Sequence, residues 1–175
     1  MVSLISVNLP NLVVNANDIS LNFSRRKHGG GQGPFLIISR ACGYALDVGF
    51  SPGPGSIPHV WPPHGESQQL WNLRPSGKAG EVVLASAASG LVLAALPTRK
   101  SRDDCPVLVE AEKYSKWQRW HLEPSPDSAG HLLRLSGSAL CLTMSADAKR
   151  EWRPWLSPRD PQRSQQWMIV QPYGR

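Results

Sequence analysis

Only three cysteines occur in the 175 residues, Cys42, Cys105 and Cys141, and no two of them stand in a C-x-x-C spacing. An odd, sparse set is no disulfide framework and offers no zinc-binding pair, so reduced thiols in a cytosolic protein are expected. No apolar run approaches the roughly 18 residues that a membrane-spanning helix needs. The N-terminal "MVSLISVNLPNLVV" lacks a basic region, and Asn8, Pro10 and Asn11 interrupt its apolar run. A secretory signal is therefore not expected, although export by a route that needs none stays open. No segment keeps apolar residues at helical spacing over three turns. With 15 glycines and 16 prolines, the chain reads as all-β.

Catalytic signatures are also missing. The sequence contains no G-x-S-x-G, no H-E-x-x-H and no G-x-x-x-x-G-K-[ST]. His59 and His64 flank Trp61, and Cys42 lies nearby in sequence. A half-buried thiol and two loop imidazoles are the stronger reading of that group than a thiol–imidazole catalytic pair. No enzyme, cofactor or metal centre is expected. The net charge is +6, but the basic residues are scattered, apart from "RRKH" at Arg25–His28 and "RKSR" at Arg99–Arg102. No nucleic-acid motif accompanies them, so nucleic acid is not an expected partner.

What the sequence has is repetition. The triplet Gln-x-Trp occurs three times, in "SQQLWNL" (Ser67–Leu73), "KWQRWHL" (Lys116–Leu122) and "SQQWMIV" (Ser164–Val170). A second landmark keeps step with it. "GPFLIIS" (Gly33–Ser39), "GEVVLAS" (Gly80–Ser86) and "GHLLRLS" (Gly130–Ser136) each join a glycine, an apolar run and a serine. The units run over about 33–74, 80–123 and 130–171. Each holds four short apolar runs between turn residues; in the first they are "FLII", "YALDV", "HVW" and "LWNL". Twelve short strands follow. No unit is large enough to enclose a core, so the three must pack around a shared centre. The tryptophans suit that centre, each with an indole N–H in need of an acceptor. The glutamine two positions earlier faces the same side of its strand.

Three Gln-x-Trp units, with "YALDV" ahead of the first triplet, resemble the ricin B-type lectin family over residues 33–171. The resemblance implies a β-trefoil of twelve strands in three pseudo-symmetric units within a domain at 33–175. It also implies a function, carbohydrate recognition of galactose or N-acetylgalactosamine type, with glycans, glycoproteins or glycolipids as partners. In that family a carboxylate accepts from vicinal sugar hydroxyls, an aromatic ring meets the pyranose, and a polar side chain beside the triplet completes the set. By resemblance Asp47 is the carboxylate of the first unit, Trp61 its aromatic ring and Gln68 its polar side chain, with Gln69 bracing Asp47. The second unit offers Ala94 in place of an acid and no aromatic. The third keeps Trp155 and Ser164 but has Thr143 in place of the acid, as in a vestigial or altered site. Secreted members tie this unit with a disulfide; Cys141 matches one partner, and no cysteine follows it. The competing reading is a β-trefoil that has lost sugar binding and serves as a protein-interaction or scaffold module.

Residues 1–32 stand outside the repeat as an N-terminal arm. "NDISLNFS" (Asn17–Ser24) alternates like a half-exposed strand, and the basic, glycine-rich "RRKHGGGQG" follows as a hinge. Such an arm could add a strand, make a homo-oligomer or remain a tail.

Overall fold

The computed structural model describes residues 32–96, 105–145 and 151–172. The expected arm strand and hinge, and "RKSR", lie outside the described residues. Twelve strands form, with no α-helix among the described residues. They are β1 (Gln32–Ser39), β2 (Ala45–Asp47), β3 (His59–Trp61) and β4 (Leu70–Pro75) in the first unit. The second holds β5 (Val82–Ser86), β6 (Val92–Ala95), β7 (Cys105–Glu110) and β8 (Trp120–Pro124). The third holds β9 (His131–Leu135), β10 (Leu140–Thr143), β11 (Trp155–Pro158) and β12 (Gln166–Val170). Strands β4 and β8 end at the prolines of "WNLRP" and "WHLEP", where the missing N–H stops the ladder.

The pairings close a ring. β1 pairs with β4, β4 with β5, β5 with β8, β8 with β9, β9 with β12, and β12 returns to β1. The other six strands form three hairpins, β2–β3, β6–β7 and β10–β11. These lock to one another in a cyclic order. Val60 N–H donates to Trp152 O (2.8 Å), Val109 N–H donates to Ser56 O (2.9 Å), and Leu156 pairs with Cys105. A closed six-stranded barrel capped by three hairpins is the β-trefoil.

The triplets hold this frame by one bond set repeated three times. The indole N–H of Trp71 donates to Leu46 O (3.0 Å), that of Trp120 to Leu93 O (3.1 Å) and that of Trp167 to Leu142 O (2.9 Å). All three rings are fully buried in the main core cluster. Each glutamine pins the loop that enters its own 3-10 turn. Gln69 Oε1 accepts from His64 N–H (2.8 Å) and its amide donates to Pro62 O (3.1 Å). Gln118 does the same with Lys113 N–H (2.7 Å) and Ala111 O (2.8 Å), and Gln165 with Asp160 N–H (2.7 Å) and Pro158 O (2.8 Å). The spacing of donor and acceptor from the glutamine is the same in all three units. The serine landmark is less regular. Arg40, Ala87 and Ser136 make the equivalent backbone bonds to Gln166 O, Leu70 O and Arg119 O, so Ser136 falls one place beyond Ser39 and Ser86. Leu135 takes the serine's place in the third unit.

Two predictions follow from this packing. A Gln118→Leu change keeps the side-chain volume and strands a backbone donor and an acceptor, so it should cost about 2 kcal/mol or more. The unfolding free energy from urea denaturation should fall by that amount, with no change in the barrel's far-ultraviolet spectrum. The second concerns His131, which is 2% exposed with neither ring nitrogen hydrogen-bonded. Burial holds its pKa below the ordinary 6.5, so the folded state refuses a proton that the unfolded chain accepts. His131 therefore adds no pH-dependent cost above that value, and stability is lost as pH falls below it. The stability difference between wild type and His131→Leu, followed by urea unfolding, should shift in favour of the variant as pH drops from 7 to 5.

Candidate functional site

β2 ends at Asp47 just beyond Leu46, whose carbonyl takes the Trp71 indole. The same count along the second and third units reaches Ala94 and Thr143, beyond Leu93 and Leu142. The expected alignment of Asp47, Ala94 and Thr143 is therefore the structural one. Gly49 follows with φ +74°, a conformation that glycine adopts without strain, and this turns its N–H onto Asp47 Oδ1 at 2.6 Å.

The hairpin partner of Asp47 is His59. In the third unit Thr143 faces Trp155, and in the second Ala94 faces Leu108. The equivalent of Trp155 is thus His59, not Trp61. Trp61 lies opposite Ala45, and its counterparts are Glu110 and Ser157. The sequence reading put Trp61 and Trp155 in one role; the register separates them by two residues, which leaves both on the same side of the strand. Trp61 is 53% exposed, and its ring stands edge-on to His59 at 6.2 Å between centroids. An aromatic surface beside Asp47 is present, shifted outward along the hairpin.

Two imidazoles flank the carboxylate. His64 Nε2 is 3.4 Å from Asp47 Oδ2, and His59 Nε2 is 3.9 Å from Oδ1. Glu66 N–H donates to His64 Nδ1 (3.2 Å), which leaves the proton of the neutral ring on Nε2, facing Asp47. Asp47 itself is only 4% exposed. Gln68 is half-buried and adjoins the site through its backbone, where its carbonyl accepts from Val48 N–H (3.1 Å). Its Oε1 is buried without a hydrogen-bond partner. Gln69 does not brace Asp47. It is fully buried, and its amide is consumed by the loop at 62–65, so it sets the position of His64 and touches no ligand. Phe50, 90% exposed, and Ile57 add apolar surface in the loop between β2 and β3.

The third unit brings its three expected residues together. Thr143, Trp155 and Ser164 line one open cleft of about 470 Å³. The hydroxyl of Thr143 is fully engaged there: it donates to Cys141 O (2.9 Å), lies 2.7 Å from Ser157 Oγ and accepts from the Gln165 amide (3.1 Å). In the second unit Ala94 and Leu108 face each other, and Trp117 stands at the position of Gln68 with Lys116 over its ring at 4.8 Å. Among the described residues no group of three histidine, cysteine or acidic side chains forms a metal site. Cys105 and Cys141 are buried, Cys42 is half-buried, and burial pushes the Cys141 thiol up to about 11.

Counting ten residues back from each triplet glutamine would have found His59 as the partner of Asp47. His59 and His64 already stand out in the sequence as flanking Trp61, and the folded loop brings His64 to Asp47.

Known proteins of this shape include lectins. Residues 67–152 match the family described as "Ricin-type beta-trefoil lectin domain-like". The designed threefold-symmetric protein ThreeFoil superposes with a TM-score of 0.71 at 22% identity, covering 79% of this chain and 99% of that one. The Macrolepiota procera ricin B-like lectin, solved in complex with lactose, gives 0.67 at 20% identity, covering 84% and 100%. The Rhizoctonia solani agglutinin gives 0.68 at 15% identity, covering 84% and 98%. No curated protein matches the sequence.

Because Asp47 also accepts from Gly49, its charge and its turn are separable. Asp47→Asn keeps an acceptor for that N–H and should melt within about 0.5 kcal/mol of wild type, whereas Asp47→Ala should lose about 1 kcal/mol. Thermal unfolding of the two variants checks this.

Proposed function

We propose that this ricin B-like β-trefoil is a carbohydrate-binding module whose first unit holds the sugar, with a galactose or N-acetylgalactosamine type of preference. The observation that carries the reading is the acid. Of the three equivalent positions 47, 94 and 143, only Asp47 is a carboxylate. Its Oδ2 has no backbone donor among the described residues, and its neighbour is the imidazole of His64, 3.4 Å away on a half-exposed loop side chain. Vicinal sugar hydroxyls take that place and make charge-assisted bonds to the carboxylate. Trp61 offers its ring to the C–H face of the pyranose, His59 and His64 contribute ring nitrogens from the rim, and Gln68 adds an amide. The galactose preference is carried over from the family resemblance. Fold and family match both suggest a non-catalytic module.

A single shallow site gives a Kd near ~1 mM, about −4 kcal/mol, so useful binding requires several sites on one particle. A second reading has its own support. Phe50, Ile57 and Trp61 are exposed apolar residues around a largely covered carboxylate, as a protein-docking surface would present them.

A glycan array at high display density, run with wild type, Asp47→Asn and Trp61→Ala, separates the two. The lectin reading expects a defined galactoside to bind wild type and to lose about tenfold or more with each variant. Binding indifferent to Asp47→Asn would sink the first-unit site, and silence across the array would favour the protein-interaction module.

A further inference from the structure

Asp47 is covered, and two imidazoles form part of the cover. The residue is 4% exposed, whereas the side chains of His59 and His64 beside it are 33% and 37% exposed. The two oxygens are not equivalent. Oδ1 already takes the Gly49 N–H at 2.6 Å, and His59, from the facing strand, stands 3.9 Å off it. Oδ2 is the oxygen left for a ligand, and the ring beside it is that of His64. This ring is held to its own turn, because Nδ1 accepts from Glu66 N–H (3.2 Å) while the His64 backbone N–H is fixed by Gln69 Oε1 (2.8 Å). The neutral ring then turns Nε2–H toward Oδ2 at 3.4 Å, a loose contact. Protonation changes which partner holds the ring. An imidazolium is a donor at both nitrogens, so Nδ1 stops accepting and donor faces donor at Glu66. On the other side, Nε2–H gains a charge-assisted bond to a nearly buried carboxylate. The anchor of the ring passes from the turn to Asp47.

We propose that the first-unit site is gated by acid: His64 leaves Asp47 open to sugar hydroxyls when neutral and closes on it when protonated, so that bound sugar is released as pH falls from 7.5 to 5.5. The inference rests on the reading of the first unit as the sugar site. Histidine is the side chain that changes charge over this interval. The sign follows from competition for one oxygen. The imidazolium and the sugar hydroxyls both donate to Oδ2, so the proton weakens the sugar and the sugar weakens the proton by the same factor. Among the described residues the two rings are the ion-pair partners of Asp47. The loop that carries His64 also brings Glu66. The third-unit segment bonded to β3 through Trp152 O brings Glu151 and Arg153, which pair with each other at 3.1 Å. Both described cations that face the carboxylate are therefore ones that a proton creates. A lysine or arginine in either place would hold Oδ2 at every physiological pH; a histidine holds it in acid alone.

The test is a titration of the 15N-labelled full chain with methyl β-galactoside at pH 7.5 and at pH 5.5. It is followed through the Trp61 indole N–H signal, which Trp61→Phe assigns. The indole signals of Trp71, Trp120 and Trp167 report in the same spectra that the core stays folded, a necessary control because His131 makes it acid-sensitive. Wild-type affinity should fall about fivefold or more between the two pH values. His64→Asn keeps a side-chain oxygen for Glu66 N–H, leaves the backbone bond to Gln69 untouched and removes the titrating ring. Its affinities at the two pH values should agree within about a factor of two, whatever the ring contributes at pH 7.5. The proposal is overturned if wild type binds equally at both pH values, if it binds more tightly at pH 5.5, or if His64→Asn keeps the full wild-type ratio. A Trp61 signal that moves at neither pH overturns the sugar site and the gate with it, an outcome distinct from binding that ignores pH.

Discussion

Everything in this molecule hangs on a buried indole N–H meeting a backbone carbonyl of the neighbouring hairpin. Trp71, Trp120 and Trp167 each fill the core and bond Leu46, Leu93 and Leu142 in turn. A tryptophan without that acceptor would bury an unsatisfied donor, at a cost of about 1–3 kcal/mol. The carbonyl therefore fixes the register between β2 and β4, and likewise in the other two units. The glutamine two residues earlier fixes the loop at a constant distance. Together they set both walls of each candidate site: the strand end that carries residue 47, 94 or 143, and the turn that carries residues 66–68, 115–117 or 162–164.

Once those walls are fixed, side chains on them are free to diverge. Apart from Thr143, whose hydroxyl accepts from the Gln165 amide, no wall side chain takes part in the indole and glutamine bonds, so acid, apolar and basic sets are all compatible with one barrel. The first unit is acidic, the second pairs Ala94 with Leu108, and the third presents Arg163. Function thus resides in the substitutions on the frame and not in the frame itself. A match to lectin folds carries the architecture; the choice of ligand has to be argued from each wall.

This division also explains what could be read from the chain. The fold was legible because the triplet is both a sequence pattern and a bond set, and because strand ends coincide with proline at Pro75 and Pro124. The alignment of Asp47, Ala94 and Thr143 was legible for the same reason. Aromatic residues carry no such anchor. Trp61 and Trp155 looked alike in their loops, and strand pairing shows that His59 is the residue opposite Asp47. Gln69 misled in a different way. The resemblance had it brace Asp47, whereas the loop backbone at 62–65 consumes its whole amide.

The contrast between residues 47 and 143 shows what a competent site requires. Thr143 is polar and buried, and every bond its hydroxyl can make is made within the protein. Such a group gains nothing from a ligand. Asp47 is equally buried, yet its carboxylate holds one backbone N–H, with two imidazoles standing off at 3.4 and 3.9 Å. A carboxylate removed from water and left short of donors is costly in the free protein, by a few kcal/mol at most given the flanking rings. A ligand with two adjacent hydroxyls relieves that deficit, while one with a single hydroxyl relieves half of it. On the proposed reading, a preference for a vicinal diol would come from the shortage of donors around Asp47, before any contact with Trp61 is counted.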